Sequence, residues 1–104
     1  MHKLCFYVPT SHLEVVKSAV FSTGAGQYGS YDQCCWQTLG QAQFRPLEGS
    51  QPYIGKAHQF ETVEEYKVEM LCEDALIPEA VRALISAHPY EEPAYDFWHI
   101  HIKI

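Results

Sequence analysis

The chain has 104 residues, the size of one domain, which excludes a catalytic module joined to a separate regulatory one. Its 47% hydrophobic and 13% aromatic residues can fill a core, and 19% charged residues are too few for a disordered tail. Thirteen acidic against seven basic residues leave a formal charge of -6, and the bases are scattered from Lys3 to Lys103, which argues against a phosphate-tracking nucleic-acid surface.

Residues 3–8 alternate, with Leu4, Phe6 and Val8 on one face, the period of a strand packed on one side. Pro9 ends it. Ser11 followed by Glu14 predicts a capping box and a helix starting near residue 12. Leu13, Val16, Ala19 and Val20 form its apolar stripe, and Gly24 its left-handed C-terminal cap. Gly24, Gly26 and Gly29 spell G-x-G-x-x-G, but this loop follows a helix instead of opening one, so it reads as a turn and not as a phosphate cradle. Residues 31–39 predict a second strand that Gly40 breaks or bends, and residues 41–56, with two prolines and two glycines, a shaped loop. From about His58 to Cys72 a strand places Tyr66, Val68, Met70 and Cys72 on one face. Pro78 fits the first turn of a second helix whose stripe is Val81, Leu84 and Ile85, ending before His88-Pro89. A last strand over residues 95–104 places Phe97, His99, His101 and Lys103 on one face and Trp98, Ile100, Ile102 and Ile104 on the other. This order predicts a single α+β domain over residues 1–104, a ferredoxin-like βαββαβ sandwich with two helices on one face of an antiparallel sheet. The bare sheet face then needs a cover, and self-association is the economical one.

Cys5, Cys34, Cys35 and Cys72 lack the C-x-x-C spacing of a zinc knuckle, and the N-terminus shows no apolar run of signal-peptide length, so the expectation is four reduced thiols in a cytoplasmic protein. No apolar run is long enough to span a membrane. Three groups carry candidate chemistry. His88-Pro89-Tyr90-Glu91-Glu92-Pro93 sets an imidazole, a phenol and two carboxylates in a helix-to-strand joint, where they either shape the turn or make a subunit contact or ligand site. His99 and His101, two apart on a strand, share a face and can chelate a divalent metal, with a third ligand from His58, Glu69 or another subunit; otherwise they are half-exposed sheet histidines. Arg45 and Glu48 form an ion pair that shapes their loop, or Arg45 holds an anion. No Ser or Cys stands in an activating motif, so no catalytic residue is assigned and turnover is the least supported reading.

Three segments together, Gly24-Ala-Gly-Gln-Tyr-Gly-Ser-Tyr-Asp-Gln-Cys34, Phe44-Arg-Pro-Leu-Glu-Gly-Ser-Gln-Pro-Tyr-Ile-Gly55 and His88-Pro-Tyr-Glu-Glu-Pro-Ala-Tyr-Asp96, resemble the PII-like, CutA-like domain inserted in YqfO proteins of the NIF-three-like dinuclear-metal family. The resemblance runs from the first strand to the last. It implies a ferredoxin-like fold related to PII and CutA proteins, in free-standing form, and assembly as a trimer through the sheets. The flanking metal-bearing domains have no counterpart here, so the resemblance does not carry over a hydrolase or cyclohydrolase activity. Nor is there a long loop with a basic cluster of the kind PII proteins use for nucleotides. The expected function is a non-enzymatic, ligand- or metal-responsive regulatory oligomer that binds a small molecule or partner protein in subunit clefts, lined by the 44–55 loop and the 88–96 segment. A divalent-metal-binding protein with His and Glu ligands is the first alternative, and a metal-assisted hydrolase remnant the second.

Overall fold

A computed structural model describes residues 1–102 of the chain. Strand β1 (His2–Pro9) leads through a 3-10 turn (Thr10–His12) into helix α1 (Leu13–Phe21), followed by β2 (Trp36–Phe44) and β3 (Glu61–Cys72). A second 3-10 turn (Asp74–Leu76), helix α2 (Ile77–Ala87) and β4 (Tyr95–His99) complete it. The strands lie in the order β2-β3-β1-β4, every neighbouring pair antiparallel, as the ferredoxin-like reading requires. β1 is central because its apolar run is buried almost throughout: Phe6 faces Val68 on one side and Tyr95 on the other. Leu4, Phe6 and Val8 from β1 and Val68, Met70 and Cys72 from β3 meet Val16 and Val20 of α1 and Ala80 and Leu84 of α2 in one core. Each of the Leu, Phe, Val and Met side chains contributes roughly 1.5–3 kcal/mol of burial.

The predicted capping box does not form. Pro9 delivers the chain into a 3-10 turn in which the Leu13 N–H bonds Thr10 O, so His12 becomes the cap, and the Ser11 hydroxyl bonds His12 Nδ1 at 2.8 Å. Gly24 does close α1, at φ 99°, and the glycine loop is a turn after a helix. Gly26, at φ 85°, is where the loop is pinned to the sheet. Its N–H donates to Leu71 O and its carbonyl accepts from Cys34 N–H, both at 2.8 Å, and a Cβ there would stand 2.8 Å from the Phe21 ring.

Other boundaries move for local reasons. Tyr28 and Tyr31 bond each other across a turn, with Gln33 at φ 54°, so β2 begins at Trp36 and not at residue 31. Gly40 neither breaks nor ends the strand: it sits opposite Glu65, and β3 partners β2 as far as Phe44. The buried side of α2 is Ile77, Ala80 and Leu84, while Ile85, expected in the stripe, is 47% exposed. β4 stops at His99, short of the residue 104 predicted; Lys103 and Ile104 lie outside the described residues.

β2 contributes nothing to the core. It pairs with Glu61–Glu69 of β3 to form an arm at the edge of the sheet whose tip, residues 41–44 and 61–64, runs past the end of β1, in a domain of 48 × 23 × 23 Å. Among the described residues no helix is long and apolar enough to cross a membrane.

Candidate functional site

β4 pairs with β1 only from His2 to Phe6, which leaves the end of β1 without a ladder partner on that side. The 88–94 segment takes its place. The Tyr7 N–H donates to Ala94 O at 3.1 Å, and His88 Nε2–H donates to Tyr7 O at 2.7 Å. His88 is in extended backbone before Pro89, which turns its ring back toward β1. The other ring nitrogen, Nδ1, accepts the Tyr90 N–H at 3.1 Å. One donor and one acceptor on the same ring define the neutral Nε2–H tautomer, and burial pushes the imidazole below its ordinary value, against the pull of the Tyr7 carbonyl and of Glu65. With both nitrogens engaged in hydrogen bonds, His88 latches the segment to β1.

From that latch the segment carries Tyr90 over the open face of the sheet, where its hydroxyl donates to Glu65 Oε2 at 2.8 Å. Glu65 is 8% exposed, although strand alternation places it with Lys67 and Glu69 on the face away from the helices. The phenol is pushed far above its usual value, first by burial and then by the carboxylate it bonds, so Tyr90 stays a donor. Tyr90→Phe removes that donor from a buried carboxylate and is expected to cost about 1–3 kcal/mol. A thermal melt read by circular dichroism should fall by roughly 5–20 °C.

Beside this pair lies a cavity of about 350 Å³ whose walls include Tyr7, Phe44, Tyr53, Tyr90, Glu91 and Glu92. The 45–60 loop forms its far side: the Gln51 N–H donates to Glu91 Oε2 at 3.0 Å, and the Tyr53 ring stands 5.8 Å from His12 and 6.2 Å from Tyr90. Of the residues singled out from the sequence, Tyr90, Glu91 and Glu92 therefore meet at one cavity, with His88 behind them. Arg45 and Glu48 do not join it, and they do not pair with each other. Arg45 sits 5.2 Å over the Phe60 ring and Glu48 accepts from His58 Nε2 at 3.2 Å, contacts that close the loop on itself. Tyr53 belongs to the 44–55 loop expected to line a cleft, whereas sequence reasoning missed Tyr7 and Glu65. Period-two alternation makes Glu65 a solvated residue, and only the docking of a distant tyrosine buries it.

His99 is not paired with His101. The strand geometry that would align them ends at His99, and His101 is exposed beyond it. Of the third ligands expected, His58 is bonded to Glu48 and Glu69 lies opposite Cys5 on the other sheet face, which leaves another subunit. His99 instead faces His2 across the β1–β4 ladder, ring centroids 4.0 Å apart. Asp74, two residues past the end of β3, accepts from His2 Nδ1 and from the Met1 amine, each at 2.7 Å. Those two hydrogen bonds, the amine's first, hold the Asp74 carboxyl below its ordinary value. The four cysteines are unpaired; burial raises the Cys5 and Cys72 thiols, which disfavours the reactive thiolate.

No family model matches the chain. It is 41% identical over 98 residues to a protein of Halalkalibacterium halodurans named "GTP cyclohydrolase 1 type 2 homolog", covering 94% of this chain and 26% of the relative. A Bacillus subtilis protein of the same name is 37% identical over 98 residues, with the same 94% and 26% coverage. The chain thus spans about a quarter of these relatives. Among solved structures, a Bacillus cereus protein related to NIF3 superposes with a TM-score of 0.80 at 36% identity, over 93% of this chain and 24% of that one. The periplasmic divalent cation tolerance protein CutA from Archaeoglobus fulgidus superposes with a TM-score of 0.71 over 100% of this chain and 88% of its own, at 15% identity. The fold is CutA-like. The superposition spans the arm as well as the rest of the sheet. At that identity the likeness is one of fold, and the CutA-like sheet says nothing about which side chains bind.

Proposed function

We propose that the chain is a non-enzymatic regulatory module that works as a homo-oligomer, a trimer, and holds a small molecule in the cavity beside Tyr90 and Glu65. In this reading the domain acts in the cytoplasm, where its four thiols stay reduced. One observation carries the proposal: β2 exposes large apolar side chains on both faces. Trp36 is 70% exposed on the open face and Leu39 52% exposed on the opposite one, and the outer edge of β2 is unpaired. An exposed, unpaired apolar strand is a liability unless a neighbouring copy covers it. The resemblance to PII and CutA proteins supports three copies.

The cavity lies at the root of this arm, so a copy seated on the arm deepens it into a subunit cleft. Its aromatic walls and its carboxylates Glu65, Glu91 and Glu92 favour an aromatic or cationic ligand with hydrogen-bond donors over an anion. The same acidic lining disfavours a nucleotide triphosphate. Multi-angle light scattering on the intact chain is expected to give three times the chain mass; a monomer at micromolar concentration removes the basis of the proposal.

A further inference from the structure

At the opposite end of β1 from the cavity, the ends of three strands converge on one point. His2 opens β1, His99 closes β4, and Asp74 follows β3 in a 3-10 turn. His2 is the register partner of both His99 and Cys72, which places the two imidazoles on the same sheet face and the turn after Cys72 within reach of them. One donor atom from each of His2, Asp74 and His99 lies within 4.8 Å of the other two.

We propose that His2, Asp74 and His99 bind a borderline divalent cation of the Zn²⁺ class. Two imidazole nitrogens and one carboxylate oxygen suit Zn²⁺, Cu²⁺ or Ni²⁺, whereas Mg²⁺ and Ca²⁺ prefer all-oxygen shells. The two rings, centroids 4.0 Å apart, each bring a nitrogen within 4.8 Å of the other and of an Asp74 oxygen, so one cation can bond all three. Cross-strand pairing fixes the separation of the two histidines in advance, so little chain entropy is lost on binding. The His2 side chain is 13% exposed and the Asp74 side chain 54%, which leaves the site anchored on one side and open to solvent on the other. Three protein ligands leave a fourth position for water or a ligand.

The site and the cavity are at different ends of the domain, so zinc binding and the oligomer stand or fall separately. The test is a calorimetric titration of the intact chain with Zn²⁺, under a non-chelating reductant because Cys34 and Cys35 can also take zinc. One Zn²⁺ per chain is expected, with His2→Ala and His99→Ala each weakening binding at least about tenfold and His101→Ala leaving it unchanged. An independent readout needs no variant: in histidine ring NMR spectra Zn²⁺ should move the signals of His2 and His99, and Mg²⁺ should move none. Absence of zinc binding overturns the proposal. So does binding that both histidine variants retain, or a zinc response confined to His12, His58, His88 or His101.

Discussion

His88→Ala is expected to destabilise the domain by about 2–4 kcal/mol and to lower its melting temperature by roughly 10–25 °C. The imidazole closes two backbone groups at once, the Tyr7 carbonyl and the Tyr90 N–H. Alanine leaves both without a partner where the chain is 7% exposed, and each orphaned group costs roughly 1–3 kcal/mol. The loss also frees the segment that carries Tyr90 onto Glu65, so a ligand held by the cavity should be lost with the fold's latch. Equilibrium urea unfolding measures the energy; a change below about 0.5 kcal/mol, the range of an ordinary surface substitution, would mean that the latch contributes nothing.

The same residue gives stability a pH dependence. The folded protein holds His88 neutral, with its pKa lowered by burial, while the unfolded chain titrates it near 6.5. Between the folded and unfolded values the unfolded state binds more protons, so stability falls as pH drops below about 6.5 and levels off below the folded value. In His88→Ala that part of the acid sensitivity disappears.

The second large effect concerns the arm. Trp36→Glu combined with Leu39→Glu is expected to weaken self-association at least about 100-fold, converting the oligomer to monomer at micromolar concentration. The two side chains lie on opposite faces of β2, both largely exposed, so within one chain their replacement removes no core contact. Across an interface each glutamate is a buried charge without a partner, which costs several kcal/mol. Sedimentation velocity reads the outcome, and circular dichroism checks that the monomer stays folded. An unchanged mass would place the interface away from the arm.

Much of the fold could be read from local pattern. Alternation at Leu4, Phe6 and Val8 and at Tyr66, Val68, Met70 and Cys72 identified both faces of the two central strands, because period two is a property of the backbone itself. Gly24 and Pro89 marked helix ends for equally local reasons, positive φ and the steric effect of a proline ring. Local reading failed where two solutions of similar energy compete. Ser11 and Glu14 make a valid capping box, but the turn after Pro9 met the same need first. Ile85 is apolar at helical spacing, yet the direction from which the core approaches α2 selects Ala80 and Leu84.

The candidate sites divide along the same line. From the sequence alone came the domain's class, its element order βαββαβ, the expectation of an uncovered sheet face, and the 88–93 segment as the richest cluster of polar side chains near a turn, since these depend on neighbours in the chain. Only the tertiary structure decided that Tyr90 buries Glu65, that Arg45 and Glu48 turn to Phe60 and His58, and that His99 meets His2 and Asp74 and not His101. Each of those partnerships joins residues through strand register or loop docking. Register is set by burial of the whole sheet face, so no window of local sequence contains it.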